Sequence, residues 1–109
     1  MPSAKASAGP RALTSRPEDR LAQEVALLSR ATSNLRAGRP SDALKALDEY
    51  QRKFPTGVLA VEQRAVRAQT LCTLKRVSEG RAEAAHLAPQ SPAAARTNQI
   101  CDAAANAMP

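Results

Sequence analysis

The chain has 109 residues, with 16 Lys and Arg against 10 Asp and Glu, one His, two Cys, and two aromatic residues, Tyr50 and Phe54. That length holds one domain at most, and because 24 of its apolar residues are Ala, its core is thin and a deep catalytic cleft is not expected. The net charge of +6 is spread along the chain with no run of three Lys or Arg and almost no aromatic platform, which disfavours nucleic-acid binding and leaves a small basic nucleic-acid-binding protein as the alternative class.

No apolar stretch approaches the ~20 residues of a membrane-spanning helix. The first seventeen residues, MPSAKASAGPRALTSRP, are interrupted by Pro2, Pro10 and Pro17 and lack the apolar segment of a secretory signal. Residues 1–16 are rich in Ala, Ser, Pro and Arg without periodicity and are expected to be a disordered tail or linker. Ser15 and Glu18 form a candidate capping box, with Pro17 in the first turn and Asp19 at the positive end of the helix dipole. A helix is expected from there, with Leu21, Val25, Leu28, Ala31, Thr32 and Leu35 on its apolar face and Gly38 and Pro40 as its stop.

A second helix is expected from about Ser41 to Pro55, with Ala43, Leu44, Leu47, Tyr50 and Phe54 inward. Its outer face carries Asp48 four residues before Arg52 and Glu49 four before Lys53, each pair favouring helix by a few tenths of a kcal/mol. Leu59, Val61, Ala65, Val66, Ala68, Leu71, Cys72 and Leu74 predict a third helix ending near Lys75 or Arg76, with Glu62, Arg64, Arg67 and Gln69 on its polar side. The fourth segment, Ser78–Ala88, contains Gly80 and only one large apolar residue, Leu87. Ser91 and Pro92 then cap a fifth helix, Ala93–Ala104, with Ile100 and Cys101 inward. The domain is thus expected to span 17–104, with 105–109 frayed.

A shift of 37 residues aligns Ala31 with Ala68, Leu35 with Cys72, Ser41 with Ser78, Ala43 with Gly80, Tyr50 with Leu87, and Pro55 with Pro92. Small residues at such places let two helices approach closely, and the proline marks the handover to the next unit. Ala31, Gly38, Ala43, Leu47 and Pro55 fall at the separations of a tetratricopeptide-type repeat, which the chain resembles over about residues 18–104. Segments such as ALKALDEYQRKFPTG look like the repeats of bacterial envelope-assembly lipoproteins and of C-terminal domains in membrane-anchored bacterial regulatory proteins. The second repeat departs from the pattern at Lys75, Gly80 and Ala84.

The resemblance implies an all-α fold: two antiparallel helix hairpins plus a C-terminal capping helix in a short right-handed stack. It implies a non-catalytic scaffold or adaptor that holds a peptide or protein surface, with no cofactor. The polar positions of the first helix of each repeat, Thr32, Arg36, Glu62, Gln69 and Thr73, would line the groove, with Arg36 and Gln69 best able to hold an extended peptide. Exposed apolar residues at the ends of so short a stack would also suit a homodimer. A chain complete as given would be cytoplasmic; the Pro-, Ala- and Ser-rich tail alternatively suits a linker from a membrane anchor to a periplasmic domain.

Cys72 and Cys101 both fall on apolar faces, as two small reduced core residues or as a disulfide in an oxidising compartment. Counted from Pro55 and Pro92, their positions differ by about two turns, or ~12 Å, which exceeds disulfide reach unless the last helix slides or crosses. His86 has no CxxC or HxxxH companion that would make a zinc site. No orienting partner or oxyanion element supports a Cys and His nucleophilic pair, and the single glycines make no phosphate loop.

Overall fold

The computed structural model describes residues 16–107. Within them the chain forms five helices and no strand: α1 (Pro17–Arg36), α2 (Pro40–Lys53), α3 (Ala60–Thr73), α4 (Val77–Ala84) and α5 (Pro92–Asn106). Nearly all of the expected tail, and Ser15 of the candidate capping box, lie outside the described residues. The residue that caps α1 is Arg16, whose side chain makes no capping hydrogen bond; Pro17, Glu18 and Asp19 occupy the first turn. Proline also opens α2 and α5, where its missing N–H costs nothing because the first helical donors have no intrahelical acceptor. Ser91 caps α5 as its sequence suggests, accepting from the Ala94 amide at 3.1 Å.

Three boundaries differ from expectation, the first at α3, which ends at Thr73 ahead of the left-handed Lys75 and not at Lys75 or Arg76. Helix α4 ends at Ala84 rather than Ala88, because Pro89 disfavours helical backbone at the residue before it and removes a donor. Leu87 is nevertheless buried, in the bend after the helix. Helix α5 continues through Asn106, past the expected Ala104.

Helix α1 packs on α2 and α3 on α4; α3 also touches α1, α2 and α5, and α4 touches α5. Leu27, Ala31, Ala43, Ala46, Leu47 and Tyr50 are buried in the first half, and Ala65, Ala68, Leu71, Leu87 and Ala94 in the second. The expected inward face of α1 is only partly correct. Leu21 is 39% and Val25 47% exposed, whereas Glu24, Leu27 and Ala31 are buried. Helix α1 presents to its neighbours the row one residue away from the most apolar one, and the reason is the polar anchor that Glu24 makes, described below.

The 37-residue period is written in the backbone more clearly than in the side chains. Gly38 (φ 78°) and Lys75 (φ 69°) both adopt the left-handed conformation. After α1, the amides of Ala37, Gly38 and Arg39 bond to the carbonyls of Ser33, Leu35 and Asn34; after α3, those of Leu74, Lys75 and Arg76 bond to Thr70, Cys72 and Leu71, each 37 residues further on. Both ends are Schellman caps, which satisfy carbonyls that the helix leaves without donors. The alignment of Gly38 with Lys75, where the sequence match breaks, is therefore a place where the conformation is kept.

Helices α3 and α4 approach each other at Gly80. A Cβ there would overlap Cys72 Sγ and stand 2.9 Å from the Ala68 carbonyl oxygen. At the matching place in the first pair, Ala43 carries its methyl fully buried.

Cys72 and Cys101 are joined as a disulfide, with their Cα atoms 5.0 Å apart. The expected axial mismatch disappears because the two prolines are not equivalent helix starts. Pro55 lies in the loop between α2 and α3, and α3 begins only at Ala60, whereas Pro92 is the first residue of α5. Cys72 is thus twelve residues into its helix and Cys101 nine, an offset of about 4.5 Å. The bond closes a loop between residues 29 apart in sequence, which corresponds to ~3.5 kcal/mol in the chain-entropy treatment.

Candidate functional site

A half-open cleft of about 440 Å³ runs between α1 and α3 and reaches α5. Helix α1 supplies Thr32, Leu35 and Arg36; α3 supplies Val61, Glu62, Ala65, Val66 and Gln69; α5 supplies Ala93 and Arg96. Four of the five residues expected in a groove, Thr32, Arg36, Glu62 and Gln69, thus line one cavity. The three- and four-residue spacings from Thr32 to Arg36 on α1 and from Glu62 to Gln69 on α3 put them along facing helical rows. Thr73 does not line the cleft; it is exposed, and its hydroxyl donates to the Gln69 carbonyl at 2.8 Å.

The cleft is apolar along its middle and charged at its edges. Val61 is 61% exposed, and Leu35 and Val66 are half-buried beside it. Arg36 and Arg96 are exposed, and neither is paired with an acidic side chain among the described residues. Gln69 is held in place from behind, its Nε2 donating to Oγ1 of the fully buried Thr97 at 3.2 Å. The Thr32 hydroxyl donates to the Ser29 carbonyl at 3.1 Å.

The end of α1 away from Arg36 carries a polar anchor that periodicity does not show. Glu24 is buried, and its Oε1 accepts from the Tyr50 hydroxyl at 2.6 Å and from the Leu59 amide at 2.9 Å. One carboxylate therefore ties α1 to the end of α2 and to the loop leading into α3. Burial pushes the Glu24 carboxyl up, but the Tyr50 hydroxyl, the Leu59 and Val58 amides and the nearby Arg20 charge outweigh it and hold the group below its ordinary value. The Tyr50 phenol is driven well above its ordinary value, by burial first and then by the Glu24 charge it donates to. Gly57 allows the approach: a Cβ there would lie 2.5 Å from Glu24 Oε1 and 2.8 Å from the Tyr50 hydroxyl. The signal that could have found Glu24 is Tyr50 itself, because a buried tyrosine hydroxyl needs a partner.

On the opposite side of α3, Arg67 spans the two units. Its Nη2 donates to Asp48 Oδ1 at 2.8 Å on α2, and its Nε lies 4.0 Å from Glu83 Oε2 on α4. Asp48 therefore reaches across to α3 rather than pairing with Arg52 along its own helix. Glu49 does pair with Lys53, at 2.9 Å. His86 is exposed, and no group of three or more His, Cys, Asp or Glu side chains converges as a metal site among the described residues. No helix there is long and apolar enough to cross a membrane.

Comparisons with family models, with curated proteins and with solved structures find no match to this chain.

Proposed function

We propose that the chain is a non-catalytic helical-repeat module, built like a short tetratricopeptide-type stack, that binds a protein partner through an extended segment laid in the α1–α3–α5 cleft. The observation that carries this reading is the convergence of Thr32, Arg36, Glu62 and Gln69, from two different helices, around exposed Val61 and half-buried Leu35 and Val66. The pattern of helix contacts supports the stack: α1 meets α3 and α3 meets α5, while α2 meets α3 and α4 meets α5. Each first helix thereby touches the next, and each second helix leans on the first helix that follows it.

Charge complementarity defines the partner's chemistry. Arg36 and Arg96 flank the apolar middle and outnumber Glu62, the one acidic residue lining the cleft, so the segment that fits carries more carboxylates than cations beside aliphatic side chains. Elsewhere among the described residues more than half of the basic side chains are paired: Arg30, Arg39, Lys45, Lys53, Arg67, Arg76 and Arg81 each lie against a carboxylate. That pairing favours a peptide over a nucleic acid, which needs a continuous row of free cations.

The test is affinity capture and direct titration with acidic, aliphatic peptides, repeated with Arg36→Glu, Arg96→Glu and Gln69→Ala. Weakened binding by each variant is the expected result, and unchanged binding by all three rejects this surface. A parallel titration with single- and double-stranded nucleic acid across salt would reverse the assignment if binding were tight and fell steeply with ionic strength.

A further inference from the structure

We infer that oxidation of Cys72 and Cys101 completes the cleft, so that the disulfide form binds peptide and the dithiol form loses the α5 wall. The binding half of this inference rests on the function proposed above. The structural half does not.

Helix α5 contributes Ala93 and Arg96 to the cleft and, through Thr97, fixes the side chain of Gln69. Its packing on α3 and α4 is made largely by small side chains. Its buried residues are Ala94, Thr97, Cys101 and Ala104, and its one large aliphatic side chain, Ile100, is only half-buried. Apart from the disulfide, its polar side-chain links among the described residues are the Gln69–Thr97 hydrogen bond and an exposed ion pair, Arg81 with Asp102 at 2.7 Å, and its apolar contacts are those of Ala94 with Ala65 and Leu87 and of Ala104 and Ile100 with Val77. Exposed pairs of that kind contribute little, and burying methyl groups contributes much less than burying leucines.

The disulfide lies on the same face as the cleft wall. Cys72 is three residues beyond Gln69 on α3, and Cys101 is four beyond Thr97 on α5, so the covalent bond and the hydrogen bond are successive rungs between the same two helices. Gly80 of α4 lies close against Cys72 Sγ, so the Cys72 sulfur sits between α4 and its bond to α5. On closure, the two thiols give up two protons and two electrons to a disulfide acceptor, which leaves as two thiols while the Cys72–Cys101 bond forms; a dithiol reductant reverses the balance. Both cysteines are fully buried, so the reductant acts only through opening of α5, and exchange is governed by that opening.

The experiment compares the full chain oxidised and after dithiothreitol, by native-state amide exchange and by binding of a fluorescein-labelled heptapeptide alternating aspartate and leucine. Reduction is expected to cost α5 amides about tenfold or more in protection relative to those of α1 and α2, and to weaken peptide binding about tenfold. The paired variant Cys72→Ala with Cys101→Ala is expected to behave as the reduced chain and to ignore dithiothreitol. Equal protection of α5 in both forms overturns the inference, as does a loss of protection no greater in α5 than in α1 and α2, which would make the bond a global support and not a local latch. Equal peptide binding by both forms overturns the gate but leaves the cleft as a site. Binding by neither form overturns the proposed function and, with it, the binding half of the inference.

Discussion

The two helical pairs of this chain reach similar backbone geometry by different chemistry. The pair α1–α2 is filled by Leu27, Leu47 and the fully buried Tyr50, with Glu24 anchoring the tyrosine hydroxyl. The pair α3–α4 has no aromatic residue; it closes over Gly80, and its neighbour α5 is fastened covalently. Large side chains stabilise the first unit through buried area, whereas small ones in the second bring helices close but bury little, and the disulfide offsets the shortfall. Two helical pairs can therefore share the same cap geometry while the source of their stability differs.

Six substitutions would break or sharpen that contrast. The largest effect is expected from Tyr50→Ala, which empties the centre of the first unit and should lower unfolding free energy by ~3–5 kcal/mol in denaturant titration. Tyr50→Phe, which keeps the ring but leaves the buried Glu24 carboxylate with backbone donors only, should cost about 1–3 kcal/mol. Next comes Cys101→Ser, expected to remove about 3 kcal/mol measured under oxidising conditions and nothing further under reducing ones. The difference between the two conditions locates the loss in the second unit.

An acid titration isolates the polar anchor. Folded Glu24 binds its proton less tightly than the unfolded chain, for which the ordinary value is 4.5. Its contribution is thus complete above that value and is lost as pH falls through the lower folded value. Glu24→Gln should flatten the acid limb of the stability curve, and an unaltered limb would assign the dependence to other carboxylates. The smallest effect, and the only gain, is expected from Lys75→Gly. Relieving a left-handed lysine should raise stability by up to ~1 kcal/mol, whereas the mirror change Gly38→Ala should lower it by a similar amount.

Much of the architecture was legible because helix signals here are local. Prolines at first turns, the Ser91 cap and three- and four-residue apolar spacings place all five helices to within a few residues. The 37-residue alignment likewise located the small positions, Ala31 with Ala68 and Ala43 with Gly80, that all prove buried. What failed depended on tertiary context. Leu21 and Val25 belong to the most apolar row of α1, yet the neighbouring row is buried because Glu24 must reach Tyr50 and Leu59. Gln63, Thr70 and Thr97 are buried polar residues, and composition alone assigns such side chains to the surface. The cysteine offset was misjudged because it was measured from prolines, one of which begins a helix and one of which sits in a loop. Within the cleft, Thr32, Arg36, Glu62 and Gln69 were placed on the groove side by their position on first helices, but Arg96 was not, since nothing in the sequence tells how α5 is set against α3.

The matching caps after α1 and α3 carry a consequence for engineering. Since Ala37-Gly38-Arg39 and Leu74-Lys75-Arg76 trace the same path with different side chains, what recurs is a joint and not a motif. Either tripeptide is therefore expected to serve in the other's place without redirecting the chain, since the same three amide-to-carbonyl bonds close both ends.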